Sequence, residues 1–218
     1  MKSDDMSVGF IHQSKLCGPF EIVEYVNSKA VIVRFTKTGF VVSVYAHHVR
    51  AGTVKDKLFK SVFGVGCIGV GNHKVSFKRR TTKKYSVWSQ MLRRCYSQSY
   101  QDVQPTYKGC SVCVEWLNFQ AFGDWFDENY IDGNALDKDI LIDGNKQYSP
   151  SSCLFVTQRD NNIKSSAKLY MFELHGVVTE IYNLGKFCRD NKLNYFHMLK
   201  VNSGELKTYC GFKKQKIN

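Results

Sequence analysis

Two blocks of positive charge flank an acidic stretch, an arrangement suited to gripping a polyanion at both ends and holding a cation between. From Lys74 to Arg94 there are eight basic residues and no acid: Lys74, Lys78, Arg79, Arg80, Lys83, Lys84, Arg93 and Arg94. From Lys186 to Asn218 eight lysines and arginines stand against two acids. Between them, Glu115 to Asp143 carries eight acids, Asp137, Asp139 and Asp143 among them, and a single lysine, Lys138. With a formal net charge of +12 the chain favours a polyanionic partner, nucleic acid or an acidic membrane surface. The plain alternative is a solvated surface, and charge alone does not choose between them. Cys110 and Cys113 form a C-x-x-C, but a structural zinc site needs a second pair at suitable spacing, and its lack argues against zinc. Gly64, Gly66 and Gly69 fit G-x-G-x-x-G, yet no helix signal follows and no acid occurs before Asp102, so a nucleotide site is rejected.

The elements that must position these residues follow from periodicity. The chain has 218 residues, 43% hydrophobic and 14% aromatic, enough for a packed core and for one large domain or several small modules. Segments 20–26, 30–35 and 40–45 are rich in β-branched and aromatic residues and predict a small antiparallel barrel or sheet within residues 1–72. Residues 73–84 read as a basic linker. Tyr85, Trp88, Leu92 and Cys95 recur at helical spacing, and Trp116, Phe119, Phe122 and Phe126 stripe a second helix over 115–130. A strand–loop–strand pattern over 136–157 completes a core assigned to 85–165. In 166–218, strands at 169–174 and 177–182 flank His175-Gly176 as a hairpin. Two helices follow, capped by Asn183 and Asn194. Helix, tight turn, helix and a basic tail is the layout of a helix-turn-helix DNA reader, with a plain helical hairpin as the alternative. No apolar run approaches the length of about 20 residues that a membrane span requires, and no secretory signal is visible. The eight cysteines are therefore read as reduced thiols in a cytoplasmic setting.

The spaced elements Leu136-Asp137-Lys138-Asp139-Ile140, Gly144-Asn145, Tyr148-Ser149-Pro150, Cys153, Val156-Thr157 and Asn161-Asn162 resemble the HNH, or ββα-metal, homing endonucleases of phages and mobile introns. Upstream, Trp88, Arg94-Cys95, Tyr107-Lys108-Gly109 and Trp116-Leu117-x-Phe119 are similar to the same group. So is the tail, through Phe187-Cys188-Arg189 and Lys207 to Phe212, and the resemblance covers about residues 85–212. It implies an α+β protein with an N-terminal β-barrel, a degenerate ββα core and a C-terminal hairpin with helix-turn-helix. It implies binding of double-stranded DNA in the cytoplasm of a host cell, with Lys78, Arg79, Arg80, Lys83, Lys84, Arg93 and Arg94 on one side. Tyr195, His197 and Lys200 would serve from the second tail helix. Magnesium would sit on Asp137 with Asn161 or Asn162. For the base, three routes stay open: Lys138 or Asp139 assisting a metal-bound water, a histidine reaching the site from elsewhere in the chain, or slow chemistry without one.

The departure from that pattern is at the base. Phosphodiester hydrolysis needs a base to activate water and a divalent cation to offset charge on the phosphate. Where the family places its histidine, this chain has Asn134, Ser152 replaces an expected asparagine, and no histidine lies between His73 and His175. An asparagine side chain does not take up a proton near neutral pH. Metal-dependent nicking or cleavage and a catalytically inactive DNA-binding regulator, such as a repressor or anti-host factor, both remain open. An RNA-binding regulator is a third class, without a dedicated motif.

Overall fold

In the computed structural model, residues 4–139, 141, 144–159, 162 and 168–215 are described, and they form a mixed α+β protein with three hydrophobic clusters. The first is built on strands β1 (Ile11–Ser14), β2 (Gly18–Asn27), β3 (Ala30–Phe35) and β4 (Val41–Val44), an antiparallel meander in that order. Phe20, Ile22, Val31, Val33 and Phe35 alternate onto one face. Met6, Val54 and helix α1 (Ala46–Arg50), through Ala46 and Val49, cover that face. The predicted barrel is corrected to an open sheet. Its edges β1 and β4 are four residues each, and four short strands with one buried face do not supply the tilt and stagger that closure requires.

The central cluster is where the candidate chemistry sits. A two-residue hairpin, β5 (Ser76–Phe77) and β6 (Arg80–Thr81), leads into α2 (Lys83–Tyr96), then α3 (Gln98–Val103) and β7 (Ser111–Val112). The second expected helix divides into a 3-10 turn over Glu115–Leu117 and α4 (Phe119–Asn129). The break falls at Asn118, whose side chain caps α4 by accepting from Gln120 N. Trp88, Met91, Leu92 and Cys95 of α2 pack with Trp116, Phe119, Phe122 and Phe126. Val62, Val65, Ile68 and Val75 close over them.

The glycines of the G-x-G-x-x-G stretch have a packing role there. A Cβ at Gly66 would fall 2.4 Å from Leu92 Cδ1 and 3.0 Å from the Trp88 ring, and one at Gly69 2.0 Å from Asn118 Oδ1. No helix opens after Gly69.

Strands β8 (Ala135–Asp137) and β10 (Leu154–Val156) pair antiparallel, with Asp137 opposite Leu154. Between them β9 (Gln147–Tyr148) pairs parallel with β7. Helical residues Gln158, Arg159 and Asn162 follow β10.

The third cluster joins β11 (Leu169–Leu174), β12 (Val177–Tyr182), α5 (Leu184–Asp190), α6 (Tyr195–Ser203) and β13 (Phe212–Lys214). The hairpin register, with Leu174 opposite Val177, leaves the two-residue turn His175-Gly176 with both φ positive. Asn183 and Asn194 accept from Lys186 N and His197 N as N-caps. Four residues join the helices, and Leu193 N reaching back to Cys188 O closes the turn, with Lys192 left-handed where glycine is usual. No helix among the described residues is long and apolar enough to cross a membrane.

The close fit at Gly66 gives a direct check on this packing. Gly66→Ala should lower stability by about 1–3 kcal/mol through overpacking against Leu92 and Trp88, read as a lower urea midpoint. An unchanged midpoint would contradict the contact.

Candidate nucleic-acid interface and ββα site

Within the basic block, the fold sorts the cations into two groups. Lys74, Lys78, Arg79, Arg80, Lys83 and Arg93 are exposed, and among the described residues no ion pair engages them. Lys78 and Arg79 form the two-residue turn of the β5–β6 hairpin with φ of 46° and 64°. Such a turn favours Asn-Gly, and holding non-glycine residues left-handed costs about 1–2 kcal/mol each. The hairpin is fastened at its base by Thr82. Its hydroxyl donates to Lys74 O (2.8 Å), its amide to Val75 O (3.0 Å), and its Oγ1 accepts from Tyr85 N to cap α2.

Lys84 and Arg94 are engaged inside the protein, while Arg93 is exposed with its guanidinium against a neighbouring ring. Lys84 Nζ donates to Asp127 Oδ2 (2.6 Å) and His73 Nδ1 (2.9 Å). That leaves the His73 Nε2 proton to be donated to Asp124 Oδ1 (2.8 Å). Sequence reasoning missed this cluster. The one available signal was Gly123 in an aromatic helix: a Cβ there would lie 2.3 Å from His73 Cδ2. Arg93 lies 4.9 Å from the centre of the Tyr100 ring. Arg94, half-buried, stacks 5.5 Å from Tyr107 and hydrogen-bonds the Tyr148 hydroxyl, which burial pushes to a raised pKa.

In the third cluster, Tyr195, His197 and Lys200 are all exposed on α6, joined by the exposed Phe196. The His197 ring lies edge-on to Tyr209, whose hydroxyl accepts from Asn194 N.

The acidic candidates gather at the end of β8. Leu136 and Phe155 face each other across β8 and β10, with Leu136 turned into the core and Asp137 half-buried at the strand end. Asp137 Oδ1 accepts from Asp139 N (2.8 Å). The Lys138 side chain is only 7% exposed, and its ammonium donates to Asp139 Oδ1 (2.6 Å) and Asn145 O (2.6 Å). Asn145 returns a bond from Nδ2 to Lys138 O (2.9 Å), so the two residues clasp the loop between β8 and β9. Asn134, where the resemblance would place a histidine, donates to Phe155 O across the strand pair (3.3 Å). Ser152 is buried and donates to Gln147 O (2.8 Å), a turn-closing role for the residue that replaces the expected asparagine.

Of the expected metal ligands, Asp137 and Asn162 are described. Asn162 is exposed and helical and accepts from Gln158 Nε2 (2.8 Å). Asn161 and Asp143 lie outside the described residues. Among the described residues, no three His, Cys, Asp or Glu side chains gather in metal-ligand geometry. One carboxylate with amide oxygens and waters still fits magnesium, which commonly takes only one or two carboxylates from the protein.

The cysteines here are core residues. Burial pushes the Cys95 thiol up to about 12 and that of Cys153 to about 11, and raises that of Cys113, so all three are protonated at neutral pH. Cys110 is buried, with its thiol against Thr106 O. Compared with models of known protein families, with curated proteins and with solved structures, the chain matches none.

The clasp makes a specific demand of Lys138. Lys138→Ala should cost about 1.5–3 kcal/mol, the range for hydrogen bonds to charged groups, measured by urea unfolding. A stability equal to that of the parent would return Lys138 to the status of an available proton donor.

Proposed function

We propose that this protein binds double-stranded DNA in the manner of an HNH homing endonuclease, with the β5–β6 hairpin and the first turn of α2 as its phosphate grip. The observation that carries the reading is the sorting of charge. The acids Asp124, Asp127 and Asp139 are taken up by His73, Lys84 and Lys138, while Lys78, Arg79, Arg80 and Lys83 stand exposed together. Unneutralised cations on one projection raise local affinity for phosphates and release counterions on binding. The paired helices α5 and α6, with Tyr195, Phe196, His197 and Lys200 outward, support a second contact in the order expected of a helix-turn-helix reader.

The antiparallel β8–β10 pair followed by helical residues supports a ββα nuclease scaffold. In that reading Asp137, with Asn161 or Asn162, would hold a magnesium ion, which supplies charge neutralisation at the scissile phosphate. A specific observation favours the inactive regulator as the second reading. Asn134, where the resemblance places the base, donates to the opposite strand, and the Lys138 ammonium is buried in the loop clasp, so neither residue stands free to take a proton from water.

Supercoiled-plasmid nicking with magnesium or manganese separates the two, run beside duplex binding for the parent, Asp137→Asn and Asn134→His. Asparagine at 137 keeps the oxygen that Asp139 N needs and removes the charge. If the scaffold is catalytic, the parent nicks weakly, Asp137→Asn abolishes nicking, and Asn134→His raises it by as much as about 100-fold. Binding by all three without nicking by any establishes the regulator. Absence of duplex binding overturns both readings.

A further inference from the structure

The hairpin carries a feature that phosphate gripping does not use. Phe77 is a large apolar side chain left 59% exposed. It stands directly across from Arg80 in the β5–β6 pair, so the two side chains project from one face of the hairpin. That face borders a cleft of about 650 Å³ lined by Phe77, Lys78, Arg80, Thr81, Thr82 and Lys83, an aromatic ring and three cations without an acid. Lys78 Nζ lies 5.4 Å from the ring centre, which places positive charge beside the stacking surface.

A two-residue turn with both residues left-handed fixes the direction of the hairpin tip, and here it does so at the cost of two non-glycine residues. An exposed ring on a rigid projection, ringed by cations, matches what an unstacked nucleotide requires. The ring offers a π-face to the base, and the guanidinium and ammonium groups meet its phosphate.

We infer that this cleft receives a nucleotide displaced from the DNA stack, with its base on the Phe77 ring and its phosphate between Arg80 and Lys83. The inference rests on the DNA-binding reading and extends it from a charge-driven grip to recognition of distorted or unpaired DNA. Intact duplex offers the same phosphates but no free base face, so the site discriminates by stacking and not by charge.

The test uses the full chain and two labelled duplexes of identical sequence, one carrying a single unpaired nucleotide. Wild-type protein should prefer the bulged duplex by about tenfold, the lower part of the range for one base–aromatic stack. Phe77→Ala should lose that preference while keeping the parent's affinity and salt dependence on intact duplex, and Phe77→Trp should retain it. A 2-aminopurine at the unpaired position should be quenched by the parent and not by Phe77→Ala. Equal binding of both duplexes by the parent, or a preference that survives Phe77→Ala, overturns the stacking site while leaving the phosphate grip standing. Failure of the parent to bind either duplex overturns the DNA-binding reading itself.

Discussion

The arrangement depends on one buried side chain. Trp88 is wholly inaccessible, and its indole N–H donates to the carbonyl of Trp116 at 2.7 Å. A buried indole without a partner is costly, so this bond fixes both the depth and the rotation of α2 against the turn that precedes α4. Phe119 and Tyr85 lie 5.3 and 5.6 Å from the Trp88 ring, and Gly66 brings the overlying loop into contact with it. Two consequences follow from the same alignment. The first turn of α2 is held where Thr82 can fasten the basic hairpin, and Lys84 is held where it reaches Asp127 and His73. The separation of exposed from neutralised cations is therefore a product of core packing, not of surface chemistry.

Much of the scaffold is legible in the residue pattern because its elements are locally consistent. The i, i+3, i+7 stripe of α2, the turn His175-Gly176 and the two asparagine caps each carry a local physical cause, and each element lies where that cause places it. Elements held by partners far along the chain are not legible in this way. Ile11-His12-Gln13-Ser14 and Phe212-Lys213-Lys214 have weak strand character, and they become β1 and β13 only by pairing with β2 and β11. The barrel expectation failed for a related reason: strand propensity says nothing about whether the two edges of a meander meet.

The candidate site divides along the same line. Composition revealed the basic block as a whole, but only tertiary contacts could divide it into the exposed Lys74, Lys78, Arg79, Arg80, Lys83 and Arg93 and the internally engaged Lys84 and Arg94. Lys138 lies between two acids in sequence, which suggests catalysis. Its burial and its bond to Asn145 O explain the same spacing as a loop clasp. His73 was counted with the linker, since nothing local announces that a histidine will settle on a glycine fifty residues further along the chain.

If the exposed cations of the hairpin and of the first turn of α2 contact DNA phosphates, duplex affinity between roughly 50 and 200 mM salt should distinguish the parent from a Lys78→Gln, Arg79→Gln, Arg80→Gln, Lys83→Gln variant. Parent affinity should fall steeply over that range, and a plot of log affinity against log salt should be shallower in the variant by about 0.9 for each phosphate contact removed. A parent affinity indifferent to salt, or a variant with the parent's slope and affinity, would mean that these cations do not hold DNA phosphates.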